Sequence, residues 1–351
     1  MHTIEQRPLL VSRGWIQAAA IVMIIGFSIM GVLTYYTYND EPPIPNTVKV
    51  ADGTVLFTRS DVSAGQQIFL RNGLMQYGSV FGHGAYLGPD FTTDYLHRAA
   101  LSAIEFYGGQ KSDAAHSQTI KDFRTNRYDR SSDVLQYTDA QAHAFQQCEA
   151  YYASFFGEPT TKFGLRPSAI RDPKDIHQLT AFLSWTAWAA AAERPGHNYS
   201  YTNNWPPERL VDNHVTADSI VWSVLSLIAL LGGTGLLLGV FGRWNLLGWH
   251  GREQQAMSFR TPDDVPVTPA QKACAWFFFV MAALFVVQAL LGGASEHYRA
   301  DLQTFFGFDL GRILPFNVVR TWHIQLSIFW VATSFLAAGI FLVPMMFPET
   351  A

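Results

Sequence analysis

Residues 312–344 read RILPFNVVRTWHIQLSIFWVATSFLAAGIFLVP. From Ile324 to Val343 no side chain carries a charge, and about 20 such residues in a helix cross roughly 30 Å of hydrocarbon. His323 stands at the mouth of this run, behind Arg320 and Trp322. In a helix the imidazole lies six residues past Asn317, about 9 Å in from the outer end. An ionisable group is costly in apolar surroundings, so one inside a span marks a candidate functional site. Such a histidine either bonds neighbouring backbone or an interfacial water, or it ligates haem or a metal through a ring nitrogen.

Three further runs have the same character: Trp15 to Tyr36, Ile220 to Phe241 and Ala273 to Leu291. The whole chain of 351 residues is 49% apolar and only 15% charged, with mean hydropathy just above zero. It is too apolar for an ordinary soluble protein and too polar to be all membrane, so mixed organisation is expected. A net charge of −4 with no basic run gives no sign of nucleic-acid binding. Cys148 and Cys274 lie far apart and form neither a disulfide framework nor a metal knuckle.

The first apolar run exceeds the roughly 7–15 residues of a secretory signal core and lacks a small-residue cleavage site after it, which makes it a retained anchor. Arg7 and Arg13 precede it and Asp40 and Glu41 follow, while Arg243, Arg252, Arg260 and Lys272 populate the link between the second and third runs. The positive-inside rule then puts the N-terminus and that link in the cytoplasm. Three segments result: a tail and anchor over 1–36, an extracytoplasmic domain over 37–219, and a membrane domain with three more spans over 220–351.

The central domain is long enough for its own core. Its stretch QLTAFLSWTAWAAAAERPG, from Gln178 to Gly196, contains an apolar segment of only about 14 residues, short for a span and suited to a buried helix closed by Pro195 and Gly196. DAQAHAFQQCEAYYASFFG, from Asp139, is amphipathic in the same sense, and a mainly helical globule is expected. No internal repeat or phosphate-binding fingerprint occurs, and no broken helices or repeated halves point to a transporter.

Four strings taken together carry a resemblance: GQQIFLRNGLMQYGSVFGHGAYLGPDFTTDYLHR, YTNNWPPERLVDN, FVVQALLGGASEHY and LPFNVVRTWHIQLSIFWVATSFLAAGIFLVP. In their order along the chain they resemble the quinol-dependent nitric oxide reductases of the haem-copper oxidase superfamily. In that family an N-terminal anchor and an extracytoplasmic domain are fused to a catalytic subunit of the bacterial inner membrane. The fold implied is mainly α, with four transmembrane helices in this chain and a haem-free cytochrome c-like domain outside the membrane.

The resemblance also implies roles. His323 matches an axial ligand of the low-spin haem b that passes electrons to the active site. Related two-subunit reductases carry a CxxCH haem-attachment signature ahead of a Gly-Ala-Tyr string. Aligned on Gly84, Ala85 and Tyr86, its slots hold Leu74, Met75, Gln76, Tyr77 and Gly78, so no thiol is there to attach a haem c. Electrons must then enter from a quinol in the membrane. His297 and Asp301 match the family's histidine and glutamate at its proposed quinol site, with Asp301 one methylene shorter and Glu296 adjacent as an alternative acid. Gly84 and Tyr86 match positions that help hold calcium in the two-subunit relatives, although a glycine turn packed on a tyrosine explains them equally.

The family's high-spin haem and non-haem iron need several further histidines and a glutamate on later helices. Of the eleven histidines here only His297 and His323 touch a span. Two readings of different class follow. The chain is the N-terminal part of a quinol-dependent reductase, whose partners are lipid, quinol and a missing C-terminal catalytic segment or companion subunit. Alternatively it is a non-catalytic membrane protein: a truncated remnant, an assembly partner or a sensor.

Overall fold

A computed structural model describes residues 13–158, 165–244, 267–300, 308 and 310–346. The chain opens with helix α1 (Arg13–Asn39), whose large apolar side chains are exposed along its length, as suits a helix surrounded by lipid.

The next domain is built in the order β1 (Thr47–Lys49), β2 (Val55–Thr58), α2 (Arg59–Arg71), β3 (Ser79–Val80), β4 (His83–Gly84), α3 (Phe91–Phe106), α4 (Asp113–Arg124), β5 (Tyr128–Asp129), β6 (Val134–Gln136), α5 (Asp139–Gly157) and α6 (Pro173–Ala191). Each helix start has a polar residue to satisfy its first free N–H groups. Thr58 with Asp61 and Thr138 with Gln141 form reciprocal capping boxes for α2 and α5, while Asp90, Ser112 and Asp172 cap α3, α4 and α6.

As expected from its composition, α6 is the buried helix of this globule. Helix α2 packs closely on it through Gly65, where a Cβ would fall 1.9 Å from the carbonyl oxygen of Gln178. Phe69, Tyr77, Phe91, Phe156 and Phe182 fill the space between α2, α3, α5 and α6. The helix stops at Ala191, short of the Pro195–Gly196 pair. The Glu193 N–H is taken by the Arg124 carbonyl at 2.9 Å, and Arg194, preceding a proline, is biased to extended backbone. Pro195 and Gly196 instead form the turn beyond it, in which Gly196 has φ +81° and His197 N–H closes on the Arg194 carbonyl.

The helical globule also carries two small sheets that composition did not announce. The larger has strand order β2-β1-β6-β5, antiparallel except for the β1–β6 pair, and β3 and β4 make a second.

Three long helices follow: α7 (Ala217–Arg243), α8 (Pro269–Ala300) and α9 (Phe316–Met346). With α1 they are the four described helices long and apolar enough to cross a membrane. Helices α8 and α9 run antiparallel: Gln271 donates to the Phe341 carbonyl at one end, Phe285 meets Trp330 edge to face in the middle, and the Tyr298 hydroxyl donates to the Leu314 carbonyl at the other. The chain divides into two compact units, residues 43–216 with 260–351 and residues 1–42 with 217–259.

Candidate functional site

His323 is the eighth residue of α9. On α9, Phe316 and Arg320 precede it by seven and three residues and so share its face, and the adjacent Ile324 extends the wall; opposite them α8 presents Gly292, Ser295 and Glu296. Between these two faces lies a cavity of about 260 Å³, bordered as well by Tyr86 of the first domain. The fold thus brings three of the residues singled out in the sequence, Tyr86, Glu296 and His323, around one space.

The imidazole is half buried and held from α8. His323 Nδ1 lies 2.9 Å from the Gln288 carbonyl, an acceptor, so Nδ1 donates this bond. The Gln288 side-chain amide stands 3.3 Å from Nε2 and 3.2 Å from Nδ1. The ring also lies flush on Gly292, where a Cβ would come within 2.9 Å of Cε1.

Arg320 anchors the other border. Its guanidinium donates to Gln76 Oε1 at 2.7 Å, and one turn earlier Asn317 Nδ2 donates to the Asn72 carbonyl at 3.0 Å. The segment that carries Asn72 and Gln76 thus docks on α9. The docking is apolar beside these bonds: Ala85 is buried with Leu291, Tyr298, Phe316 and Val319.

Gly84 has a packing reason of its own. Its φ is +144°, and a Cβ there would meet the Gly78 carbonyl oxygen at 2.3 Å. The next residue, Ala85, donates its N–H to the carbonyls of Met75 and Gly78, which fixes the turn that presents Tyr86. Tyr86 is three-quarters exposed. Among the described residues no group of three or more His, Cys, Asp or Glu is placed to hold a metal ion.

His297 is in the last turn of α8 but does not border the cavity; its neighbour Glu296 does. Asp301 lies outside the described residues. Glu296 is thus the more informative acid, and the signal for it is in the sequence: Gly292, Ser295 and Glu296 fall at i, i+3 and i+4, one face of a helix. Tyr86 and Gln76 have no such signal, because their meeting with α9 is a tertiary contact.

Elsewhere in the domain, burial governs the ionisable groups. It pushes the Cys148 thiol up to about 12, with Asp94 adding to the shift and Arg98 opposing it. It also raises Tyr95, Tyr137 and Tyr152, the last reinforced by the nearby Asp94 carboxylate. These groups stay neutral at physiological pH and are core rather than catalytic.

Residues 45–207 match the family model of the NorB cytochrome c-like domain of nitric oxide reductase. The matched span covers β1 to α6 and the docking segment 72–87, and ends before α7. No curated protein matches the chain.

Proposed function

We propose that this chain is the N-terminal part of a quinol-dependent nitric oxide reductase, contributing one axial ligand of a low-spin haem b and part of a quinol site. The observation that carries the reading is His323: an imidazole with Nδ1 committed to the Gln288 carbonyl, on the wall of a cavity, in a chain whose other domain is similar to the reductase's cytochrome c-like domain.

The residues present suit a haem edge. Nε2 of His323 would hold the iron once the Gln288 amide turns aside, and the Nδ1 hydrogen bond fixes the ring's tautomer and orientation. Arg320 supplies positive charge at the cavity border for the propionate carboxylates. When bound, the haem supplies one-electron transfer at a potential set by its ligands and apolar shell. A second ligand and the whole binuclear centre would come from the catalytic segment or companion subunit.

The overall reaction is 2 NO + 2 e⁻ + 2 H⁺ → N₂O + H₂O. Oxidation of one quinol to quinone releases the two electrons and two protons that it consumes. His297 and Glu296, in the last two turns of α8, together with Asp301, are the groups proposed to bond the quinol hydroxyls and take up those protons. Calcium would draw on the Gly84 carbonyl and the Tyr86 phenol, oxygen ligands of the kind that ion prefers. The N-terminus is assigned to the cytoplasm of a bacterial inner membrane and the 37–219 domain to its outer side.

The test is a reduced-minus-oxidised visible spectrum of the purified chain and of its His323→Ala variant, each alone and after expression with the downstream genomic sequence. A low-spin b-type band that requires both His323 and the downstream segment is the expected result. Absence of haem from every preparation would leave a non-catalytic membrane protein instead.

A further inference from the structure

A second cavity, of about 480 Å³, opens beside the docking contact and away from His323. Its upper wall is the end of α2 with Arg71, and the segment carrying Leu165 and Arg166; its lower wall is the first two turns of α9, with Val318 and Trp322. The apolar stretch of α9 begins at Phe316, so this lower wall lies where a span enters the membrane. Trp322 is half exposed there, the position where amphipathic rings settle among lipid head groups.

The charge on the upper wall is of one sign at the cavity. Arg71 pairs with Asp175 yet keeps 59% of its side chain exposed, and Arg166 has no carboxylate partner among the described residues. Two guanidiniums above an α9 wall that presents Pro315, Val318 and Trp322 beside the polar Asn317 and Thr321 are complementary to a phosphodiester anion carrying acyl chains. The volume is of the size that holds a small ligand or head group.

We propose that this cavity binds the head group of an anionic phospholipid, with the phosphate on Arg71 and Arg166 and the chains running down past Val318 and Trp322. Bound there, the lipid bridges the cytochrome c-like domain to α9 beside the Asn72–Asn317 hydrogen bond. The inference is independent of any haem or quinol reading.

The test uses the full chain in detergent and compares binding of phosphatidylglycerol, phosphatidylcholine and inorganic phosphate by native mass spectrometry and thermal shift. Phosphatidylglycerol is expected to bind roughly thirtyfold more tightly than phosphatidylcholine, the scale two arginines near a membrane surface supply. Arg166→Gln should cut that preference to roughly fivefold, and Arg71→Gln with Arg166→Gln should bring it to near unity. Asp175→Asn breaks the same ion pair without removing a cation, and should keep or increase it. Equal binding of the two lipids, a preference that survives the double substitution, or full reproduction of the shift by inorganic phosphate would each overturn the proposal.

Discussion

The imidazole of His323 sits on the bare backbone of Gly292 and donates from Nδ1 to the carbonyl of Gln288, four residues earlier on the same helix. The two contacts depend on each other, because the ring reaches the carbonyl only by lying where a Cβ would be. Gly293, next in the chain, faces open space.

Gly292→Ala is therefore expected to displace the ring and break its bond to Gln288. Overpacking of this kind costs about 1–3 kcal/mol. Gly293→Ala should be near neutral, and the cost of Gly292→Ala should largely vanish in a His323→Ala background. Thermal unfolding of the four proteins in one detergent measures this; an equal effect of the two alanines would remove His323 from the explanation.

Docking of the segment 72–87 on α9 makes a second prediction. Arg320 and Gln76 are 244 residues apart and joined at 2.7 Å, in a partly buried site. A hydrogen bond to a charged group contributes about 1.5–3 kcal/mol, and leaving the guanidinium without its acceptor falls at the upper end. Gln76→Ala should raise amide hydrogen exchange in residues 72–87 while leaving α6 protected, since α6 is held by its own core. Unchanged exchange in that segment would mean that the apolar contacts of Ala85 hold the docking alone.

The parts of this fold that are legible in the sequence are those that local periodicity and length dictate. The four spans are readable as uninterrupted apolar runs, and α6 as an apolar run too short to be one. His323 stands out because its type conflicts with its surroundings. Partners more than a few turns away are not readable: the strand β6 pairs parallel with β1 across most of the domain, and Gln76 finds Arg320, with no short-range pattern in either case. Alignment to the family's glutamate favours Asp301 over Glu296, whereas helix geometry alone directs Glu296 to the cavity wall with His323.

Acid titration has a clear sign at Asp129. Hydrogen bonds from the Ser132 hydroxyl and from the Ser131 backbone and hydroxyl hold this carboxyl at about 2, below its ordinary value of 3.8. A depressed folded-state value means that the contribution to stability is full above the unfolded pKa and is lost as pH falls from near 4 through about 2. Carboxyl NMR should give a midpoint near 2 in the native domain, and Ser132→Ala should move it up towards the ordinary value. An ordinary midpoint in the unsubstituted protein would show that the Ser131–Ser132 turn does not persist in solution.

Arg124, the last residue of α4, organises the irregular segment after α6. One guanidinium nitrogen donates to the Ala191 carbonyl and to the side-chain oxygens of Asn204 and Asn213, at 2.9–3.1 Å; the other reaches the Asn198 carbonyl and Glu193. Only 12% of the Arg124 side chain is exposed, and Asn213 is fully buried, so removing the arginine strands several acceptors at once. Breaking such a partly buried charged network costs about 3 kcal/mol or more. Arg124→Ala is expected to destabilise the domain by that order, and Arg124→Lys to recover only part of it, because an ammonium cannot span the same fork of acceptors. Denaturant unfolding followed by tryptophan fluorescence reads the loss, with Trp188 just before the segment and Trp205 within it. A lysine variant as stable as the parent would mean that charge alone, and not the planar fork, holds residues 191–213 in place.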